Sequence, residues 1–218
     1  MKIGYQNRSD QMFVDMTIGE FLDKTATGTP TPGGGSVCAL TGALAASLSI
    51  MVGELTVNKD IDENLRKDAL DTMEKSKMLL EKLKKGIDED PEAFDKVMEA
   101  IRLPKVSDDD KKKRIDSIQK ALKEAAETPY EVAKLCIQVM EVSIHMLKIG
   151  NKNAASDAAV SGYLAYAALN GAIHNVNINL NSIKDVDYVN EMKKNVDNIL
   201  SKSEELFATV KSEADRVI

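Results

Sequence analysis

Residues 36–53 read SVCALTGALAASLSIMVG, a stretch without a single charged side chain. Its length meets the crude test for a transmembrane helix. However, the stretch is rich in small residues, and neither a second span nor a flanking cluster of Lys and Arg accompanies it. We therefore expect a helix buried in a protein core and no membrane association. Small residues recur at intervals of three and four and would make one side of this helix flat: Ala39, Gly42, Ala46, Ser49 and Gly53. A flat face lets another helix approach closely, either from the same chain or from a second copy in a dimer.

The composition is that of an ordinary globular protein. The chain has 218 residues and a mass of 23.8 kDa, and we expect a single domain over residues 1–218. Apolar residues make up 43% and aromatic residues only 4%, a bias that favours helix over sheet. The net charge of −6 argues against a basic surface that binds nucleic acid.

The cysteine and histidine content excludes several kinds of site. Cys38 and Cys136 lie far apart in apolar stretches, so they form neither a disulfide scaffold nor a paired-cysteine metal site. The two histidines of the chain cannot build a three-histidine zinc site, and we expect no metal. The N-terminus lacks the charged-then-apolar pattern of a secretion signal. Together these features predict a protein of the reducing cytoplasm.

Capping residues and breaks divide the rest of the chain into further helices. Thr17 and Glu20 form a capping-box pattern at the start of a short helix. Asp90 followed by Pro91 is typical of a helix start. Further helices are predicted from Asp62 to Lys85 with Gly86 as the stop, from Asp108 to Glu127, from Val132 to Ile149 after Pro129, from Ser156 to Leu180 and from Asp185 to Val217. No alternating strand pattern is present, so we expect an all-α, up-and-down bundle of about seven or eight helices.

A glycine-rich loop precedes the uncharged helix. Its three glycines, Gly33, Gly34 and Gly35, would expose consecutive amides at the positive end of the helix dipole, which suits a phosphate or a carboxylate. Ser36 is placed to act as the N-cap of the helix. The alternative interpretation is a flexible entry to a buried helix. The loop matches neither a Walker loop, because no Lys follows, nor a Rossmann fingerprint, because no strand precedes it.

Three other places break the local rules of helix packing. Asp90 is either an N-cap or an acid/base group. Lys105 follows Pro104 in a rigid turn, although an ordinary exposed Lys is the alternative. The third is a polar set: Asn151, Asn153, Ser156, Asp157, Asn175 and Asn179. Asp157 and Asn175 point to the same side of one helix but lie about 27 Å apart along it, so they share a small site only if different subunits or neighbours contribute. Amides in an apolar helix must find partners, either in packing or in a ligand.

These segments, taken in order, resemble one family. The chain resembles the cyclodeaminase and methenyltetrahydrofolate cyclohydrolase family, which comprises the C-terminal half of the vertebrate formiminotransferase-cyclodeaminase and free-standing bacterial relatives. The resemblance extends from Thr17 to about Leu206, and we expect no fused formiminotransferase domain. Its carriers are Pro32-Gly33-Gly34-Gly35-Ser36-Val37, Asp90 with Glu92-Ala93-Phe94, Leu103-Pro104-Lys105, Gly150-Asn151 with Ser156-Asp157, and Asn175-Val176 with Ile178-Asn179-Leu180.

The resemblance implies an all-α homodimer that acts on a tetrahydrofolate derivative without a tightly bound cofactor. It implies cyclohydrolase activity, cyclodeaminase activity or both, with Asp90 as the proton donor and acceptor. Lys105 would protonate a leaving nitrogen or hold a carboxylate, and Asp157 would accept hydrogen bonds from the pterin; both are catalytic candidates. The glycine loop would hold the glutamate tail or close over the substrate. The candidate binding residues are Gly33, Gly34, Gly35, Ser36, Asn151, Asn153, Ser156, Asn175 and Asn179.

Two other classes of function stay open at this point. A non-catalytic helical carrier of folate or another small anion would explain the polar residues without any acid/base group. A purely structural helical dimer would explain the faces of small residues but not the polar cluster around Asn151–Asp157. Of the two activities, the cyclohydrolase is slightly favoured if, as expected, no transferase is attached.

Overall fold

The computed structural model describes residues 11–218, so the first ten residues of the predicted domain lie outside the described part. Over residues 11–218 the chain forms six α-helices and two 3-10 turns, Phe13–Asp15 and Lys152–Ala154, and no strand. The α-helices are α1 (Ile18–Thr25), α2 (Gly34–Val57), α3 (Glu63–Arg102), α4 (Asp108–Ile149), α5 (Ala155–Leu180) and α6 (Val186–Val217). The predicted all-α class is therefore confirmed.

Short connections make consecutive long helices antiparallel. Helices α2, α3, α4 and α5 surround one core, and α6 covers α4 and α5 from outside. The pairing of α2 with α5 fixes where the functional residues meet. Gly34, at the start of α2, lies beside Asn175 near the end of α5, and in the middle the hydroxyls of Ser49 and Ser161 are 2.9 Å apart. The start of α2 and the end of α5 thus face each other at one end of the bundle.

Helix α2 is the core helix that its sequence predicted. The small residues of its flat face are all buried. A Cβ atom on Gly42 would lie 3.0 Å from both Cys136 Sγ and Leu83 Cδ2, and one on Gly53 would lie 2.2 Å from Met73 Cγ. Helices α3 and α4 of the same chain therefore approach the flat face, and α5 reaches it at Ser49. By length and composition α2 is the one helix among the described residues that could cross a membrane, and 56% of its apolar window is buried inside the protein.

The predicted capping box of α1 is confirmed, and carboxylates cap the starts of two other helices. Thr17 and Glu20 form the capping box of α1. The Asp62 carboxylate accepts the amides of Asn64 and Leu65 at 3.0 Å at the start of α3, and Asp185 caps α6. These carboxylates and hydroxyls satisfy amides that have no partner within the first turn.

The prediction of helix boundaries at Asp90-Pro91 and Pro129 is wrong. Helix α3 continues through Pro91 and α4 through Pro129, so the described residues hold fewer α-helices than the seven or eight expected. Proline removes the bond to the carbonyl four residues earlier. Here the Ser36 hydroxyl donates to the Ile87 carbonyl of α3 at 2.7 Å. In α4, the Asn179 side-chain amide donates to the Ala125 carbonyl at 2.8 Å. Tertiary partners therefore compensate for both prolines.

Two smaller expectations are also corrected. Gly86 lies inside α3 and does not end it. A Cβ atom at this position would lie only 3.3 Å from Ala39 Cβ and Val132 Cγ2. The glycine thus serves close packing of three helices. Ser36 is not the N-cap of α2; Gly33 occupies that position without a side-chain cap, because the Ser36 hydroxyl is turned toward α3.

Candidate active site

A cavity of about 310 Å³ opens at the end of the bundle where α2 begins. The loop before α2, the middle of α3 and the last turns of α5 form its walls, and α4 contributes one residue. The lining residues are Pro30, Thr31, Gly33, Gly34, Asp90, Phe94, Val97, Ala125, Asn175, Ile178 and Asn179. Asp90 is the only carboxylate among them.

The Asp90 carboxylate rests directly on the first turn of α2. A Cβ atom on Gly35 would lie 2.0 Å from Asp90 Oδ1, so only a glycine allows this approach. The Ser36 N–H donates to Asp90 Oδ2 at 3.3 Å. Burial raises the pKa of the Asp90 carboxyl, and the hydrogen bond from Ser36 opposes that rise only in part. Asp90 therefore keeps its proton to a higher pH than an exposed aspartate does, as suits an acid/base group.

Cys38 faces Asp90 from the next turn of α2. Burial, followed by the charge of Asp90, raises the pKa of the Cys38 thiol to about 11. The thiol is therefore neutral at physiological pH and offers no thiolate nucleophile. Of the two groups, Asp90 is the better candidate for proton transfer.

Two asparagines of α5 face the start of α2. The amide nitrogen of Asn175 donates to the Gly171 carbonyl at 2.9 Å. The amide nitrogen of Asn179 donates to the carbonyls of Ala125 at 2.8 Å and Asn175 at 3.0 Å. Because carbonyl oxygens accept only from the nitrogen, these bonds fix which end of each side chain is the oxygen. The two amide oxygens remain to accept hydrogen bonds from a ligand in the cavity.

The glycine loop presents the positive end of α2 to the same cavity. Gly33 caps α2 through its backbone alone, and a Cβ atom on Gly34 would lie 3.2 Å from both Nδ2 and Oδ1 of Asn175. The peptide bond between Thr31 and Pro32 is cis. The amides of the first turn favour a negative charge nearby. The cavity thus combines a partly buried carboxyl, amide acceptors and a helix N-terminus.

The structure brings together a large part of the predicted set. Asp90, the glycine loop and the two α5 asparagines meet around the cavity. Ser36 lies immediately behind it, with its side chain fully buried. Its hydroxyl donates to Ile87 on α3, so it points away from the space that a ligand would fill.

The remaining predicted residues lie elsewhere in the chain. Lys105 is exposed in the connection between α3 and α4 and does not line the cavity. Asn151, Asn153, Ser156 and Asp157 lie at the opposite end of α5. There Asn151 accepts from the Asn153 N–H at 3.0 Å and from Lys59 Nζ at 2.7 Å. The catalytic roles of Lys105 and Asp157 and the binding roles of the other three stay predictions.

Sequence reasoning did not assign the apolar walls of the cavity. Phe94 and Val97 follow Asp90 at positions four and seven along α3, and Ile178 lies between Asn175 and Asn179 on α5. These intervals place the apolar and polar residues on one face of each helix. The same periodicity, counted outward from Asp90, was the signal that could have found them.

Comparison with known proteins agrees with the arrangement of these residues. Residues 17–198 match the family model described as formiminotransferase-cyclodeaminase. The chain belongs to this family. The match covers the glycine loop, Asp90 and both α5 asparagines, so every polar group of the cavity lies within it.

Individual relatives include a short protein, a long one and a solved structure. The chain is 37% identical to the methenyltetrahydrofolate cyclohydrolase of Methylorubrum extorquens over 203 residues, which cover 91% of this chain and 98% of that protein. It is 31% identical to the formimidoyltransferase-cyclodeaminase of Gallus gallus, covering 93% of this chain but 38% of that protein. The crystal structure of formiminotetrahydrofolate cyclodeaminase from Thermotoga maritima superposes with a TM-score of 0.83 at 30% identity, covering 93% of this chain and 98% of that one.

Proposed function

We propose that this protein is a folate one-carbon enzyme that hydrolyses 5,10-methenyltetrahydrofolate to 10-formyltetrahydrofolate. The observation that carries the proposal is the Asp90 carboxyl, held in a cavity at the start of α2 with its pKa raised by burial. Likeness along nearly the full length of the Methylorubrum extorquens cyclohydrolase supports the choice of reaction. The cyclodeaminase reaction is the second candidate, favoured by the solved structure of the Thermotoga maritima enzyme.

The hydrolysis needs a group that moves protons in two directions. Water adds to the carbon between N5 and N10, and one of its protons must leave. The bond from that carbon to N5 then breaks, the hydroxyl group loses its proton as the formyl carbonyl forms, N5 takes up a proton, and the formyl group stays on N10. One proton is released overall. A carboxyl whose pKa lies above the usual range can accept the first proton and deliver the second.

The charge on Asp90 also suits the substrate. The methenyl group is a delocalised cation, and an ionised carboxylate in a partly buried cavity attracts it more strongly than one in water. The Ser36 N–H in the first turn of α2 donates a hydrogen bond to Asp90 and so stabilises its negative charge. Asp90 therefore serves both binding of the cation and activation of water.

The cyclodeaminase reaction passes through a similar carbon atom. N10 of 5-formiminotetrahydrofolate attacks the formimino carbon and loses its proton, and the formimino nitrogen takes up two protons, one equivalent to that lost by N10 and one from solvent, and leaves as ammonia. A single carboxyl can again carry both proton transfers. Because the two reactions share this requirement, the cavity fits either, and their rates must be compared directly.

The decisive experiment is Asp90→Asn. Asn keeps the size of the side chain and can still accept the Ser36 N–H, so we expect a folded protein. Turnover of methenyltetrahydrofolate, followed by loss of its absorbance above the spontaneous rate, should fall by about 10²–10⁴-fold, the usual contribution of a positioned acid or base.

Glu89→Gln is the matched control, since Glu89 is an exposed carboxylate on the neighbouring position of α3. It should leave kcat unchanged. A normal kcat in Asp90→Asn would contradict the proposal. Stoichiometric protection of methenyltetrahydrofolate by the parent protein, without turnover, would favour the non-catalytic carrier. Release of ammonia from formiminotetrahydrofolate, measured in parallel, decides which activity dominates.

The protein also presents features that support a homodimer. The exposed apolar residues Val37, Leu44, Met51 and Leu55 recur along one face of α2, and residues 36–53 carry no charge. An uncharged apolar stripe on a helix surface is typical of an interface between copies. We further propose that the enzyme works in the cytoplasm on its folate substrate without a tightly bound cofactor.

A further inference from the structure

Ser36 donates two hydrogen bonds to the turn of α3 that contains Asp90. Pro91 has no N–H to donate to the Ile87 carbonyl, and the Ser36 hydroxyl donates there at 2.7 Å. The N–H of the same residue donates to Asp90 Oδ2 at 3.3 Å. The turn from Ile87 to Asp90, immediately before the proline, is therefore fixed by one residue of α2.

A second proline-interrupted helix, α4, receives the same kind of hydrogen bond from a side chain of another helix. Pro129 has no N–H to donate to the Ala125 carbonyl, and the amide of Asn179 on α5 donates there at 2.8 Å. Asn179 also donates to the Asn175 carbonyl at 3.0 Å. Ala125 and Asn179 both line the cavity.

Proline explains why these side chains can reach helix carbonyls at all. Its ring pushes against the carbonyl four residues earlier and opens the ladder of hydrogen bonds at that turn. A buried carbonyl that has no hydrogen-bond partner lowers the stability of the folded protein. A donor from another helix satisfies it and at the same time ties the two helices together.

We infer that Ser36 and Asn179 are positioning residues, which hold two proline-interrupted helices in shape around Asp90. This inference rests on the proposed function of Asp90. It gives both prolines a role, since each creates the acceptor through which a neighbouring helix aligns a wall of the cavity.

The test is a double-mutant cycle that pairs Ser36→Ala with Pro91→Ala. In the parent protein, Ser36→Ala removes the donor to Ile87 and loosens the hydrogen bond to Asp90, so kcat/KM should fall about tenfold. In Pro91→Ala the backbone N–H of residue 91 can donate to Ile87. The same Ser36→Ala change should then lower kcat/KM by less than about threefold.

The pH profile separates positioning from a merely structural role. A weaker bond from the Ser36 N–H leaves the Asp90 carboxylate less stabilised, so the limb of the profile that reports Asp90 should move to higher pH in Ser36→Ala. Cys38, the titratable group on α2 that faces Asp90, stays neutral in this range because its pKa is about 11. Ser49→Ala is the control: it removes another buried hydroxyl of α2, which pairs with Ser161, and should lower stability without moving that limb.

An equal loss of kcat/KM with and without Pro91, or an unmoved pH limb, would overturn the inference. The cycle is also measured by denaturant unfolding, which needs no turnover, so a failure of the proposed function remains distinguishable. In that case Asp90→Asn keeps its kcat while Ser36 and Pro91 still couple in stability. If the Ser36 variants do not fold, Asn179→Ala with Pro129→Ala provides the second cycle, measured by denaturant unfolding because Asn179 also lines the cavity, and we expect the loss of stability to be smaller without Pro129.

Discussion

Asp90 combines two demands that oppose each other. A partly buried carboxylate lowers stability because the charged form loses water, and burial accordingly raises the pKa of this group. The same burial lets the residue keep its proton to a higher pH than an exposed aspartate does, as suits an acid/base group. The residue therefore contributes to function at some cost in stability, as functional groups often do.

This conflict predicts a pH-dependent difference in stability between the parent protein and Asp90→Asn. The folded-state pKa of Asp90 is raised, so the folded protein binds the proton more tightly than the unfolded chain does. Stability of the parent must then fall as pH rises from the unfolded pKa of about 4 through the folded pKa. Asn has no such loss.

We therefore expect the melting temperature of Asp90→Asn, relative to the parent, to rise as the pH is raised from about 4 to neutrality. Thermal unfolding at several pH values, with Glu89→Gln in parallel, measures it. A constant difference across the range would show that Asp90 is not destabilised in its charged form.

The predicted role of Lys105 also depends on a single chemical group, its side-chain ammonium. Its side chain is exposed, so Lys105→Met should hardly change the melting temperature. Pro104 restricts the backbone just before it and so directs the side chain. We expect kcat to fall if the ammonium delivers a proton, as predicted. A rise in KM alone would instead make Lys105 a binding residue, and unchanged kinetics would make it an ordinary surface lysine.

At the scale of elements, the close approach of α2 to α3 depends on a single missing side chain. A Cβ atom on Gly35 would lie 2.0 Å from Asp90 Oδ1, so Gly35→Ala must displace the carboxylate or separate the helices. We expect a loss of about 1–3 kcal/mol in unfolding free energy, as for other overpacked sites, together with a clear loss of kcat. Gly28→Ala is the matched control, because nothing lies within 4 Å of its Cβ position. Parent-like activity in Gly35→Ala would show that the contact with Asp90 is not needed.

The elements also show what a sequence can reveal about this fold. The capping box at Thr17 and the amphipathic patterns that begin at Asp62 and Asp185 located helix starts correctly, because both signals act within a few turns of the chain. Pro91 and Pro129 misled, because the donors that rescue their helices come from distant segments. A local pattern contains no information about a partner more than fifty residues away.

For the candidate site, the sequence identified individual residues but not their arrangement in space. Asp90, the glycine loop and the α5 asparagines were each recognisable from residue type and from the family pattern. Their meeting at one cavity follows from the antiparallel pairing of α2 with α5, which places Gly34 against Asn175. That pairing results from packing of the whole core and could not be read from spacing within one helix.

On the scale of the whole molecule, the surface is unevenly charged. Exposed positions of α3, α4 and α6 are dominated by Lys, Glu and Asp, whereas α5 carries no Lys, Arg, Asp or Glu after Asp157. Exposed apolar residues of this helix include Val160 and Ile178, which lie on the same face. Together with the stripe on α2, they leave apolar side chains exposed to water on two helices that contact each other.

The proposed homodimer gives this surface a partner, and it can be tested without any ligand. Met51 and Leu55 expose 38% and 43% of their surface on the stripe of α2. Replacing both by Glu would bury two like charges per copy in an apolar interface, which costs far more than the same charges in water. We expect the mass measured by light scattering to change from that of a dimer to that of a monomer, while far-UV circular dichroism stays helical. Met78→Glu alters an exposed apolar residue on α3 (57% exposed) and should leave the dimer intact. A parent protein that is monomeric across the concentration series, or a double variant that remains dimeric, would place the interface elsewhere or remove it.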